Sequence, residues 1–216
     1  MEELKTKARE LLVNKVVQVV IGYTESPLKK ILPTFIQDPL KIDTLVYDER
    51  CKQNLAVYLL RRETKRLGKP AIVSSVSVMR SILQLASEQQ ILDKEVVVLG
   101  VSSENKLLCF EELASLEKYV KTLPLETDAK EKELIEKLDK MTLQERWEFW
   151  TKELSRCFKC YACRAACPMC YCTKCTVECN QPQWIPVAAH DLGNLEWHIM
   201  RAMHLAGRCV NCHECG

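Results

Sequence analysis

Cysteine is the feature of this sequence that most constrains its fold. The chain contains 13 cysteines, of which Cys51 and Cys109 precede residue 157 and the other eleven follow it. Clustered thiols form either disulfides, typical of small secreted domains, or metal sites, which suit a reducing compartment. The N-terminus is acidic and lacks the basic start and apolar run of a secretory signal. We therefore predict a cytoplasmic protein whose C-terminal part binds metal.

The first cysteine motif has the spacing of a bacterial ferredoxin. Its cysteines are separated by two, two and three residues and are followed by a proline, as Cys157, Cys160, Cys163, Cys167 and Pro168. This run holds [4Fe-4S] clusters, and its fourth cysteine ligates the other cluster in two-cluster ferredoxins. The spacing therefore predicts a cluster on the first three thiolates and a second motif elsewhere.

The second motif repeats the spacing with Cys209, Cys212 and Cys215. We expect Cys167 to complete its cluster. The sequence stops at Gly216, before a fourth cysteine and a proline, so the first cluster lacks its fourth thiolate. We interpret this ending as a cut through the motif, with another ligand at that corner as the alternative.

Four further cysteines lie between the motifs, spaced by one, two and three residues, namely Cys170, Cys172, Cys175 and Cys179. They predict a third iron-sulfur cluster, although tetrahedral Zn²⁺ also accepts four thiolates and unligated thiols are a further alternative. We assign no role to Cys51 and Cys109, because a lone cysteine is usually a small buried hydrophobe. His213 is expected to pack around a cluster, and large side chains to exclude water from the clusters, namely Trp184, Trp197 and Met200.

The rest of the sequence predicts two further regions. Residues 1–125 form an α/β domain, because an apolar run at 71–76, an amphipathic helix at 77–90 and a second run at 95–101 make a parallel βαβ unit. Upstream, we expect an amphipathic helix at 2–13 and a long helix that Asn54 caps and Gly68 ends.

Residues 126–156 are predicted to be a helical linker. Thr142 and Glu145 form a capping box for its last helix. Residues 157–216 then form a small cysteine-rich, ferredoxin-like α+β domain, with one helix at 192–205 whose apolar side carries Leu195, Ile199, Met200, Met203 and Leu205.

Composition excludes some partners. The formal net charge is +2, which is too small to indicate nucleic-acid binding. Apolar stretches fall short of the roughly 20 residues that span a bilayer, so we predict no membrane span. No activated nucleophile, pair of catalytic carboxylates or phosphate loop stands out, and we therefore predict no catalytic residues and no independent catalysis.

The chain resembles the iron-sulfur beta subunits of deazaflavin-reducing hydrogenases and formate dehydrogenases, in the branch associated with heterodisulfide-reductase-like complexes. The resemblance lies in residues 156–172 and 203–209, and more weakly in residues 54–59 and 71–101. It implies a subunit that relays single electrons between a flavin- or metal-bearing partner and another iron-sulfur subunit.

The sequence departs from that family in its first domain. Family members carry cysteines in a Lys-Gly-Cys-Asp stretch ahead of the position of Arg80 and in a Gly-Val-Pro-Cys turn. Here residues 75–78 read Ser-Val-Ser-Val, and Ser102 and Ser103 follow Gly100-Val101. Residues 1–125 therefore resemble a degenerate copy of a flavin- or deazaflavin-enzyme domain. A reductase with FAD on these residues, and a Zn-stabilised interaction module, are the alternative functions.

Overall fold

The computed structural model describes residues 1–102, 106–124, 129–177, 183, 185–186 and 188–215. The chain divides into two compact units. The first consists of Met1–Thr122, Cys163–Tyr171 and Cys209–Gly216, and the second consists of Leu123–Ala162 and Cys172–Arg208. Two segments of the cysteine-rich tail therefore group with the N-terminal part of the chain.

The described helices and strands follow one another along the chain as α1 (Glu2–Val13), β1 (Val19–Glu25), β2 (Ile31–Ile36), β3 (Leu45–Val46), α2 (Arg62–Lys65), β4 (Pro70–Ser74), α3 (Val76–Ser87), β5 (Val97–Val101), β6 (Leu107–Phe110), α4 (Leu113–Lys121), α5 (Ala129–Lys140), α6 (Leu143–Ser155), α7 (Ala162–Ala166) and α8 (Asp191–Leu205). Two 3-10 helices, Pro39–Thr44 and Leu55–Tyr58, lie in the first unit.

The first unit is built on a mixed six-stranded sheet with the order β2-β1-β4-β5-β6, and β3 also pairs with β1. The strands β1, β4 and β5 are parallel neighbours, whereas β2, β3 and β6 pair antiparallel. Strands β4 and β5 are buried at consecutive positions, as interior parallel strands are, because both faces of such a sheet are covered. The predicted α/β fold with a parallel βαβ unit is confirmed.

Two details of the first unit differ from prediction. The helix expected after Asn54 is broken into the 3-10 helix Leu55–Tyr58 and the short α2, because Arg61 adopts an extended conformation with ψ 135°. Gly68 follows α2 with φ 95°, a left-handed conformation that glycine adopts readily. The edge strand β6 and helix α4 were not predicted.

The second unit is helical where it is described. Helix α6 begins with the predicted capping box, in which the hydroxyl of Thr142 accepts the Glu145 N–H and the Glu145 carboxylate accepts the Thr142 N–H. Helix α8 packs against α6. Its buried positions are Gly193, Asn194 and Trp197; on the apolar side predicted for it, Leu195, Met200 and Leu205 are half-buried, whereas Ile199 and Met203 are exposed.

Within the described residues of 157–216, the structure contains α7 and α8 and no strand. The ferredoxin-like α+β fold expected there stays a prediction. No helix in the described ranges is long and apolar enough to cross a membrane.

Candidate metal centre

The two cysteine motifs adopt the same unusual backbone conformation. We call residues 157–163 loop 1 and residues 209–215 loop 2. In each loop, the second residue after the first cysteine and the first residue after the second cysteine have positive φ. These residues are Lys159 (55°), Tyr161 (59°), Asn211 (54°) and His213 (58°). Non-glycine residues rarely adopt this conformation, so the loops are conformational repeats as well as sequence repeats.

Left-handed positions turn backbone N–H groups into a concave face that binds anionic groups. In loop 1, one of these backbone N–H groups points at a sulfur atom: the Lys159 N–H donates a hydrogen bond to Cys157 Sγ over 3.4 Å. Hydrogen bonds to sulfur are one of the means by which a protein sets the potential of an iron-sulfur cluster. The backbone of the loops therefore fits a cluster.

Residues 157–162 of loop 1 belong to the second unit, where helices α6 and α8 hold them, whereas Cys163 is grouped with the first unit. Asn194 on α8 is 2% exposed, and its Nδ2 donates to the carbonyl oxygen of Cys157 over 2.7 Å. Trp197, one turn further along α8, is 1% exposed, and its ring centroid lies 5.7 Å from that of Tyr161. These contacts fix the start of the motif without using its thiols.

Several buried polar atoms lie along α8 without a hydrogen-bond partner in the described part of the chain. They are Asn194 Oδ1, Trp197 Nε1 and His198 Nε2. Native structures rarely leave such atoms unpaired, and ordered water or a bound group is the usual partner. The indole N–H of Trp197 is a donor beside loop 1, which suits sulfide or thiolate sulfur. Burial lowers the pKa of His198, and the charge of Arg201 acts in the same direction.

Lys159 places a cation inside loop 1. Its side chain is buried, and Nζ donates to the carbonyl oxygen of Pro186. Desolvation lowers the pKa of Lys159, while the Cys157 thiolate and the Glu196 carboxylate oppose that effect. Of the motif's cysteines, Cys157 is therefore the one that acts electrostatically on this ammonium group.

Loop 2 belongs to the first unit, where Glu214 connects it to the α/β sheet. The Glu214 carboxylate accepts the backbone N–H of Asn54 over 3.0 Å. The Asn54 side chain in turn donates to Ser81 Oγ on α3 over 2.8 Å and accepts the N–H of Ala56. Burial raises the pKa of Glu214, and the hydrogen bond from Asn54 opposes that effect.

Cys167 lies in the tail segment 163–171, which also groups with the first unit. This segment is joined to the α/β part by two contacts: Arg61 donates to the carbonyl oxygen of Ala165 over 3.4 Å, and Tyr171 Oη donates to Glu88 over 2.8 Å. Cys167 therefore shares a unit with the cysteines of loop 2.

The predicted ligands do not form a ready-made coordination group in the described residues. No three or more cysteine, histidine, aspartate or glutamate side chains there are placed to hold a metal ion together. Several motif cysteines form no disulfide in the described part of the chain, namely Cys157, Cys160, Cys209, Cys212 and Cys215. The donor chemistry and the loop backbone fit an iron-sulfur cluster, whereas the thiols are not gathered around one point.

The four cysteines between the motifs are distributed over the chain's two units. Cys170 belongs to the first unit, and Cys172 and Cys175 belong to the second. Cys179 lies outside the described residues. Among the lone cysteines, Cys51 is buried as expected of a small hydrophobe, whereas Cys109 is exposed.

The first unit contains a cavity of about 490 Å³ whose rim includes Lys65, Lys69 and Lys94. It opens at the amino ends of β4 and β5, whereas parallel sheets bind cofactors beyond the carboxyl ends of their strands. At the carboxyl end of β4, Ser75 caps α3 by accepting the N–H of Val78. The cavity therefore gives no support to the alternative of FAD on residues 1–125.

Sequence reasoning missed three residues of this centre: Lys159, Asn194 and Glu214. Lys159 and Glu214 lie inside the motifs as ordinary intervening residues, and Asn194 lies outside the apolar side predicted for its helix. No protein-family model matches the chain, and no curated protein matches it in sequence.

Proposed function

We propose that this chain is an iron-sulfur electron-transfer subunit of a multi-subunit oxidoreductase, of the hydrogenase, formate dehydrogenase or heterodisulfide-reductase-like kind. The observation that carries the proposal is the matched pair of left-handed positions in loops 1 and 2. A spacing alone can arise by chance, but two loops that share both the spacing and a rare backbone conformation indicate a common ligand. A cytoplasmic location and redox partner subunits are part of this proposal.

When bound, a [4Fe-4S] cluster accepts and releases one electron at a time. The chain's own residues hold and shield it. Thiolates of Cys157, Cys160 and Cys163 would hold the first cluster, while Asn194 fixes the loop and the buried Trp197 keeps water from its sulfur atoms.

The second cluster would be held by Cys167 together with the three cysteines of loop 2. Cys167 groups with loop 2 and apart from Cys157 and Cys160, which supports this crossed arrangement. Pro168 supports it too, because its fixed φ restricts the direction in which the chain leaves Cys167. Thiolates between the motifs would hold a third cluster or Zn²⁺.

Metal analysis of three cysteine variants tests the proposal. The full chain and its Cys157→Ser, Cys209→Ser and Cys109→Ser variants are purified without oxygen, and iron and acid-labile sulfide are measured for each. We expect the two motif variants to lose a large part of both elements, whereas the Cys109→Ser control keeps the wild-type content. Zinc with negligible sulfide in the wild-type chain would support the Zn-stabilised module instead.

A further inference from the structure

The cavity of about 490 Å³ lies within the first unit, and its lining comes from two stretches of chain, 59–70 and 90–96. Sites for small molecules have volumes of roughly 300–1,000 Å³ and combine apolar lining with a few polar groups. The cavity is therefore large enough for a small organic molecule. Both stretches lie outside loops 1 and 2.

Part of the cavity's lining is apolar and buried. Leu59, Ile91 and Val96 are 7%, 5% and 4% exposed, and Thr64 adds a hydroxyl-bearing residue that is 4% exposed. Because these residues are already packed into the unit, covering them with a ligand does not require them to be ordered first. The lining can therefore bury an apolar part of a ligand at little entropic cost.

The charged part of the lining is mainly cationic. It contains Lys65, Lys69 and Lys94 against one carboxylate, that of Glu95. Lys69 is half-buried, and the other two lysines are exposed. A cleft whose charges are mostly of one sign attracts ligands of the opposite sign. The cavity therefore favours an anion.

The carboxylates near the cavity do not cancel these cations. Glu95 uses an oxygen to accept the Leu92 N–H over 2.8 Å. Lys94 Nζ lies 3.6 Å from Glu112, and both side chains are more than half exposed. Ion pairs between solvent-exposed side chains are weak, so a ligand's anionic group can compete for Lys94.

The first stretch of the lining runs through a strongly basic segment. Residues 61–69 carry five lysines and arginines and a single glutamate. Four of the five cations are exposed, namely Arg61, Arg62, Lys65 and Arg66. This segment extends the positive charge of the cavity to the surface around it, where it increases the local concentration of anions.

The backbone at the cavity edge is fixed. Gly68 has a φ of 95°, and the next residue, Lys69, forms two hydrogen bonds with Gln18. The Lys69 N–H donates to Gln18 Oε1 over 2.8 Å, and the Gln18 N–H donates to the Lys69 carbonyl over 2.9 Å. The lysine is therefore held at the cavity before any ligand arrives.

We propose that this cavity binds a small organic anion. Its negatively charged group would meet Lys65, Lys69 and Lys94, and its apolar part would cover the buried lining around Ile91 and Val96. The proposal goes beyond the proposed function and is independent of it, because the cavity's lining contains none of the predicted cluster ligands.

Equilibrium dialysis of the full chain against three probes tests the proposal. 2-Naphthyl phosphate carries both an anionic group and an apolar ring, 2-naphthol carries the neutral ring, and inorganic phosphate carries the charge alone. We expect 2-naphthyl phosphate to bind at least about tenfold more tightly than either of the others, because each of them lacks one of the two contacts. Higher ionic strength should weaken its binding.

Lysine variants locate the binding site. We expect the triple variant Lys65→Gln, Lys69→Gln, Lys94→Gln to raise the Kd of 2-naphthyl phosphate about tenfold. The matched control Lys30→Gln, Lys41→Gln, Lys52→Gln removes three exposed cations of the same unit outside the cavity and should leave the Kd unchanged. Changing the three cavity lysines to arginine keeps the charge and should retain binding.

Circular dichroism checks that each variant is folded. If the triple variant does not fold, the double variant Lys65→Gln, Lys94→Gln, in which both positions are exposed, should show a smaller rise in Kd.

Three results would overturn the proposal: no binding of 2-naphthyl phosphate, equal affinity for 2-naphthol, or equal Kd values for the cavity variant and its matched control. None of these bears on the iron and sulfide content of the chain, so the failure of this proposal is distinguishable from the failure of the proposed function.

Discussion

Asn194 and Cys157 lie 37 residues apart in the sequence, and the Asn194 side chain donates a 2.7 Å hydrogen bond to the Cys157 carbonyl. The same Nδ2 also reaches the Leu154 carbonyl at 3.4 Å, which is one of the last acceptors of α6. One buried amide thus both caps the end of a helix and positions the first residue of the first cysteine motif.

We expect Asn194→Ala to destabilise the second unit. The change leaves the carbonyls of Leu154 and Cys157 without this donor, and a buried unsatisfied polar group costs about 1–3 kcal/mol. Urea unfolding followed by circular dichroism measures the effect. The exposed control Gln144→Ala on α6 should change the unfolding free energy by less than about 0.5 kcal/mol. Equal effects of the two variants would contradict the role of Asn194.

Cys167→Ser should damage the cluster of loop 2 and spare that of loop 1. Cys167 shares a unit with Cys209–Gly216, whereas Cys157 and Cys160 fall in the other unit. Paramagnetic resonance of the reduced variant, compared with Cys157→Ser and Cys209→Ser, assigns the signals. If Cys167→Ser and Cys157→Ser remove the same signal while Cys209→Ser retains it, the crossed arrangement is wrong.

Ser75→Ala should cost stability and leave the iron content unchanged. Ser75 lies two residues before Ser77, which occupies the place of a cysteine in the resembled family; the Ser75 hydroxyl is the N-cap of α3 and bonds to Ser77 Oγ at 2.9 Å. Loss of such a cap costs about 1 kcal/mol. Ser75→Asp, which can also cap, should restore most of that loss in the same unfolding assay. A fall in iron content in Ser75→Ala would show instead that Ser75 acts on a cluster.

Arg50 should make the first unit sensitive to acid. Its guanidinium bonds to Glu25 at 2.8 Å and to Asp48 at 2.7 Å, and these bonds hold the pKa of both carboxyls below their ordinary values. A lowered pKa in the folded state stabilises it above the ordinary pKa, and that stabilisation is lost as the pH falls through the folded-state value.

Urea midpoints measured from pH 6 to pH 3 check this. Wild type should lose more stability on acidification than Arg50→Gln, whereas the exposed control Lys52→Gln should follow the wild type. The difference is small, because all three charged groups face solvent. Parallel curves for wild type and Arg50→Gln would contradict the prediction.

The fold was predictable where local pattern decides it. The βαβ unit follows from two apolar runs on either side of an amphipathic helix, and α6 follows from its capping box. Strand β6 has only four residues. Its antiparallel pairing with β5 is a tertiary contact, which the local sequence pattern does not specify. The broken helix after Asn54 depends likewise on tertiary contacts, because propensity alone favours a continuous one.

Of the candidate site, only the cysteines could be predicted from the sequence, because their regular spacing is the one local pattern that marks it. The thiols of both loops could be named from their intervals. The roles of Lys159, Asn194 and Glu214 depend on hydrogen-bond partners 27, 37 and 160 residues away, so they emerge only when the chain is folded.

Iron and acid-labile sulfide in the wild-type chain, purified without oxygen, test the central claim most directly. If loops 1 and 2 are cluster-binding repeats, the protein contains iron and sulfide in nearly equal amounts, and reduction with dithionite produces a paramagnetic signal. Protein that retains zinc and negligible sulfide under the same conditions would contradict the claim.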